Sequence, residues 1–140
     1  MVSAPSRAVP ISMQVQRMLQ CYPCFRYNGG HRVPAWHGFV QPTDRSSEYL
    51  VEIEFGEPGY PNVRVVAPPI DRSCKHLHGD GTLCLYHPDD ATWSPDQCVA
   101  DVIVPLTIYW LWAYELWQKT GRWYAPEAPH GLKVRERRVR

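Results

Sequence analysis

The residues richest in chemistry lie in one run, Lys75-His76-Leu77-His78-Gly79-Asp80-Gly81-Thr82-Leu83-Cys84-Leu85. A cysteine thiolate can accept an acyl group and then leave, so Cys84 is a candidate nucleophile. Leu83 and Leu85 on either side would anchor the backbone while the thiol points the other way. Gly79 and Gly81 allow close backbone approach and positive φ. Free cysteine titrates near pH ~8.5, so imidazoles at His76, His78 and His87 would help populate its reactive form. A cysteine between leucines is more often a small buried hydrophobe. The glycine-rich approach, the histidines and the polar loop after Cys84 favour the nucleophile here.

Two rival chemistries use the same residue types. Cys21 and Cys24 form a C-x-x-C, and Cys74, His76 and His78 would complete a zinc site. That second cluster is irregular, and Pro23 with its aromatic neighbours reads instead as a turn into a strand. Cys84, His87 and Asp89 or Asp90 contain the residue types of a cysteine hydrolase. Residues so close in sequence seldom form a triad without a supporting fold.

The elements that must position Cys84 follow from periodicity. Met13, Val15, Met18 and Leu19 predict a short amphipathic helix over 12–20, stopping near Tyr22-Pro23. Strands are expected over 25–27, 36–40, 49–55 and 63–66, the first two separated by Asn28-Gly29-Gly30. In the third, Tyr49, Val51, Ile53 and Phe55 share one face while Glu52 and Glu54 take the other. Consecutive strands with short turns make an antiparallel meander and exclude a parallel wound sheet. Residues 71–95 form an active-site loop, long enough that a functional role is expected. A helix over about 94–120 follows, with Ser94-Pro95-Asp96-Gln97 as its capping box and Gly121 as its stop. Val99, Val102, Ile103, Leu106, Trp110, Ala113 and Trp117 form its core stripe. Ile108, Trp112 and Leu116 fall off that stripe; either the tail covers them or they form a partner surface, and the tail is slightly favoured. The fold class is α+β.

Bulk properties set limits. The chain has 140 residues, 44% of them hydrophobic, and a net charge of +1. That is room for one catalytic domain, 1–140, with an ordered core over about 12–131. The weak charge offers no field for nucleic acid or an anionic membrane. The basic tail, 132–140, carries Lys133, Arg135, Arg137, Arg138 and Arg140 and reads as a solvated terminus, with a docking arm for an acidic partner as the second reading. No secretory signal is visible, and the most apolar run, 102–117, falls short of the ~20 residues of a membrane span. Five cysteines without an export signal point to reduced thiols and a cytoplasmic location.

From Tyr60 to Leu111 the order of motifs resembles the ubiquitin-conjugating enzyme family. The matching residues are Tyr60-Pro61, Pro68-Pro69, Gly81-Thr82-Leu83-Cys84-Leu85, Trp93-Ser94-Pro95 and the helix after them; Trp36 also stands where the family often has tryptophan. The chain departs from the family at the His-Pro-Asn turn, where it has His76-Leu77-His78, nearer to Cys84 and without the asparagine credited with supporting the loop and the oxyanion. The helices that usually follow the long one are also missing. The end reads Thr120-Gly121-Arg122-Trp123-Tyr124, then Pro126-Glu127 and His130. These departures, with the Leu-Cys-Leu and Trp-x-Pro, are similar to the bacterial ubiquitin-conjugating-like proteins of antiphage CBASS operons.

The resemblance implies a transferase that needs no cofactor or metal. Cys84 would carry the C-terminus of a cGAS-like cyclic-nucleotide synthase as a thioester and pass it to the amine of an acceptor protein. An activating enzyme would take part where charging requires one. His76 and His78 would take over the role of the missing asparagine, and Trp93 would support the loop as a packing anchor. His87, Asp89 and Asp90 would position the amine or accept its proton, although such residues are more often exposed loop charges. The alternative is a protein-interaction module of the same fold, zinc-stabilised or catalytically inactive.

Overall fold

Alternation decides the centre of the molecule. In β3 (Tyr49–Phe55) the odd-numbered Tyr49, Val51 and Ile53 are buried, while Leu50, Glu52 and Glu54 are half-exposed. A strand with one apolar and one polar face needs cover on one side only. β3 pairs antiparallel with β2 (Ala35–Val40) and β4 (Pro61–Ala67), and β1 (Arg26–Asn28) pairs with β2. The sheet order β1-β2-β3-β4 is the expected meander. The computed structural model describes residues 8–30, 32–55, 59–86 and 91–124.

The outer face of the sheet is polar. His37 faces Glu52, which faces Arg64. His37 Nε2 lies 2.9 Å from Glu52 Oε2, and Arg64 Nη1 donates to Glu54 Oε1 at 2.8 Å. On the inner face Trp36, Val40, Val51, Ile53 and Val63 form the core with residues of the long helix. Gly38 is required there, because a Cβ would run into the Phe25 ring.

That helix, α2 (Val99–Thr120), packs against β4 and against α1 (Ile11–Cys21). Gly121 ends it in the left-handed conformation, φ 75°, donating its N–H to Trp117 O at 2.7 Å. Its start differs from the expected one. Ser94 N–H does donate to Gln97 Oε1 at 2.8 Å, but this closes a separate turn, and the helix begins at Val99. The cap comes instead from another element: buried Gln14 of α1 accepts from Val99 N–H and donates to Gln97 O, both at 2.9 Å. One amide thus satisfies backbone groups at the helix N-terminus and ties the two helices together.

The buried surface of α2 is also broader than one stripe. Val104, Thr107, Ile108, Leu111 and Tyr114 are buried, whereas Val102, Leu106 and Trp117 are only half-buried. Cover comes from more than one direction. Trp112 and Trp123 each pack against the pair Tyr109 and Ala113, so the segment after the helix covers part of this side of α2. On the remaining side Glu115 accepts from Ser46 Oγ at 2.6 Å and from Tyr49 Oη at 2.8 Å, fixing the β2–β3 turn to the helix. At 22 residues α2 is longer than the apolar run predicted, and by length and composition alone it would reach across a membrane; 61% of its most apolar window is buried inside the domain.

Candidate active site

Beyond β4 the backbone is held by individual hydrogen bonds. Asp71 N–H donates to Tyr114 Oη at 2.8 Å, pinning the loop to α2. Asp71 Oδ1 accepts from Ser73 N–H at 2.9 Å and Ser73 Oγ at 2.7 Å, which holds its carboxyl below the usual range. Residues 76–84 then form a small hairpin. Cys84 N–H donates to His76 O at 3.0 Å, His78 N–H to Thr82 O at 2.8 Å, and Gly81 N–H to His78 O at 2.9 Å. Leu77 and Leu83 pair as an antiparallel bridge, and Leu83 N–H donates to Val63 O at 2.8 Å, which fastens the hairpin to β4.

The turn explains one of its two glycines. Gly81 has φ +87°, and a Cβ there would also meet the Arg72 guanidinium. Gly79 has neither constraint. Asp80 Oδ1 accepts from Thr82 N–H at 3.0 Å and Thr82 Oγ1 at 2.7 Å, and these bonds hold its carboxyl low.

Pairing fixes what faces what. With Leu77 opposite Leu83, His76 stands opposite Cys84 and His78 opposite Thr82. The bond from Cys84 N–H to His76 O sets the two residues side by side at the open end of the hairpin, with Thr82 buried and His78 exposed at the turn end. Leu83 is buried and Leu77 is half-buried against the core. Cys84 is half-buried and carries a free thiol. His78 is exposed, whereas the His76 ring stacks on Trp123, centroids 4.2 Å apart and planes at 18°. Burial pushes the His76 imidazole down from its ordinary 6.5. It is therefore a neutral ring near neutral pH, where the sequence reading had it as a source of positive bias.

A family model described as Type II CBASS E2 protein matches residues 14–131, most of the chain. The chain belongs to this family. The match runs from the capping Gln14 through the hairpin and α2 to a point beyond Trp123. No curated protein matches the chain. Membership makes it a CBASS-associated, E2-like protein, with an E2-like conjugating role and partnership with other CBASS proteins.

In this CBASS E2 protein the other sequence candidates separate. Trp93 is buried in the core, its Nε1 donating to Gly59 O at 3.1 Å and its ring edge-on to Phe55 at 6.2 Å, so its named partners lie on β3 and the segment between β3 and β4. His87, Asp89 and Asp90 lie outside the described residues, as do His130 and the basic tail, 132–140. Among the described residues no three His, Cys, Asp or Glu side chains gather as metal ligands. Of the zinc candidates, Cys24 is exposed and Cys74 is buried, its thiol pushed up by burial.

Sequence reasoning missed the residues that hold the hairpin from outside. Trp110 Nε1 donates to His76 O at 3.1 Å, and the Trp110 ring meets Trp123 at 5.3 Å. His76 O thus accepts from both Cys84 and Trp110. Trp110 was read as core alone, and only its indole N–H, which needs an acceptor when buried, hinted at more.

Proposed function

We propose that Cys84 is the acyl-carrying nucleophile of this CBASS E2 protein. The reading rests on one observation: a free cysteine on a half-buried residue, its N–H bonded to His76 O in a hairpin that is itself bonded to both β4 and α2. Cys84 sulfur attacks the activated C-terminal carbonyl of a cGAS-like nucleotidyltransferase, delivered by an activating enzyme where one is needed. The activating group leaves, the thiol proton goes to solvent or base, and a thioester remains. An acceptor amine then attacks the same carbonyl, the C–S bond breaks with its electron pair on Cys84, and an amide forms. His76 and His78 orient the loop and interact with the charge that develops. His87, Asp89 and Asp90 position the amine or accept its proton, and Trp93 supports the loop as a packing anchor. The reaction needs no bound cofactor and fits a reducing cytoplasm, where the thiol stays free.

The test is a non-reducing gel of the protein co-expressed with its CBASS partners. A slower band that reductant removes is expected, absent in Cys84→Ala and resistant to reductant in Cys84→Ser, where an ester replaces the thioester. A band unchanged in Cys84→Ala would contradict the proposal.

A further inference from the structure

The residues after α2 do more than end it. Gly121 turns the chain back by its left-handed φ of 75°, and two residues later Trp123 lies between the helix and the hairpin. One side of its ring meets Trp110 at 61°, and it stacks nearly parallel to His76 at 4.2 Å. Trp110 in turn holds the His76 carbonyl. The ring and the backbone of one residue are thus fixed by two tryptophans, and the carbonyl of that residue accepts the Cys84 N–H at 3.0 Å.

We infer that Trp123 is a positioning residue for the Cys84 site: it shields one face of the half-buried His76 ring and holds it in one place, ready to take the proton of the amine that attacks the thioester. The inference rests on the thioester reading of Cys84 and moves the proton-accepting role from His87, Asp89 and Asp90 to His76. A neutral amine attacks the carbonyl, its N–H proton passes to the free ring nitrogen of His76, and the C–S electron pair stays on Cys84 as thiolate. The imidazolium then returns its proton to solvent or to the thiolate. Only an uncharged imidazole can do this, and burial under Trp123 lowers the affinity of the ring for a proton.

The charged and titratable groups around the ring do not account for that lowering. On its own segment stand Cys74, Lys75, His78 and Cys84; α2 contributes Tyr114, which bonds Asp71; the turned-back segment contributes Arg122 and Tyr124 beside Trp123. Among these described residues the acting cause is loss of water. Cys74 is itself held protonated by burial, and Lys75 and Arg122 are exposed and screened.

The experiment compares Trp123→Ala and Trp123→Phe in the full chain, alone and combined with His76→Gln. Two quantities are read: the NMR titration of the His76 ring, and the pH profile for discharge of the Cys84 adduct to free lysine. In Trp123→Ala the His76 titration and the acid limb of discharge should both move toward higher pH, while the alkaline plateau changes by less than about twofold. Trp123→Phe should restore both, and in the His76→Gln background Trp123→Ala should add no further effect. An unmoved His76 titration, a loss equal at every pH, or an undiminished effect in the His76→Gln background would overturn the inference. Should Trp123→Ala not fold, Trp123→Leu against Trp123→Phe gives the same aliphatic-to-aromatic contrast. Failure of the unmodified protein to form any adduct sinks the thioester reading, and the NMR titration then decides by itself whether Trp123 governs His76.

Discussion

The sheet with its helix and the hairpin beside it are stabilised in opposite ways. In the sheet, register and burial repeat: Val51, Ile53, Ile103 and Leu111 are fully buried, and each is one of many equivalent contacts. In residues 71–86 almost nothing repeats. Tyr114 holds Asp71, Trp110 holds His76, Val63 holds Leu83, and Asp80 holds Thr82. The first region decides whether the chain folds, and the second decides where one thiol stands once it has folded. Damage to the first should therefore appear as lost stability, and damage to the second as lost chemistry in a folded protein.

The largest expected effect on stability is in the sheet. Ile53→Ala should destabilise by about 2–5 kcal/mol, read as a lower denaturant midpoint at constant m-value. Next is the joint between the two helices. Gln14→Ala leaves Val99 N–H and Gln97 O without their partner and should cost about 1–3 kcal/mol by the same measurement. If the contrast between the regions holds, neither variant should alter adduct formation under conditions where it remains folded.

Gly81→Ala probes the hairpin. Its φ of +87° penalises any Cβ, and the added atom would displace Arg72, whose guanidinium can move. A stability loss of about 1–2 kcal/mol is expected, with a larger proportional loss in the rate of Cys84 adduct formation. A rate that followed stability alone would erase the distinction between the two regions.

How far the sequence spoke depended on the same distinction. The alternation of Tyr49, Val51, Ile53 and Phe55 and the stop at Gly121 are local signals, and the structure follows them. The start of α2 was misplaced because Ser94 and Gln97 have the right spacing for a cap, while the group that caps Val99 is Gln14, 85 positions away. Gly79 and Gly81 looked alike, but only the latter needs a positive φ. Cys84 stood out through its neighbours Leu83 and Leu85. The two tryptophans on His76 did not, because Trp110 and Trp123 reach it only through the tertiary fold, and a helix periodicity treats every tryptophan as core.

The smallest effect is in the pH dependence of stability. His76 has a folded-state pKa below its ordinary 6.5, so the unfolded chain binds more protons between the two values. Its contribution to stability is complete above 6.5 and is lost as pH falls from there through the lowered folded value. Melting temperature should therefore decline with acidification across that window, and His76→Gln should flatten this part of the curve. A steeper decline in the variant would mean that another group governs the window.

Peptide-level mass spectrometry of the protein isolated with its CBASS partners tests the central claim most directly. A C-terminal acyl group should map to the peptide containing Cys84, be released by hydroxylamine, and move to an oxygen linkage in Cys84→Ser. An acyl group found on another residue, or none on Cys84 when the partner carries an activated C-terminus, would contradict the account.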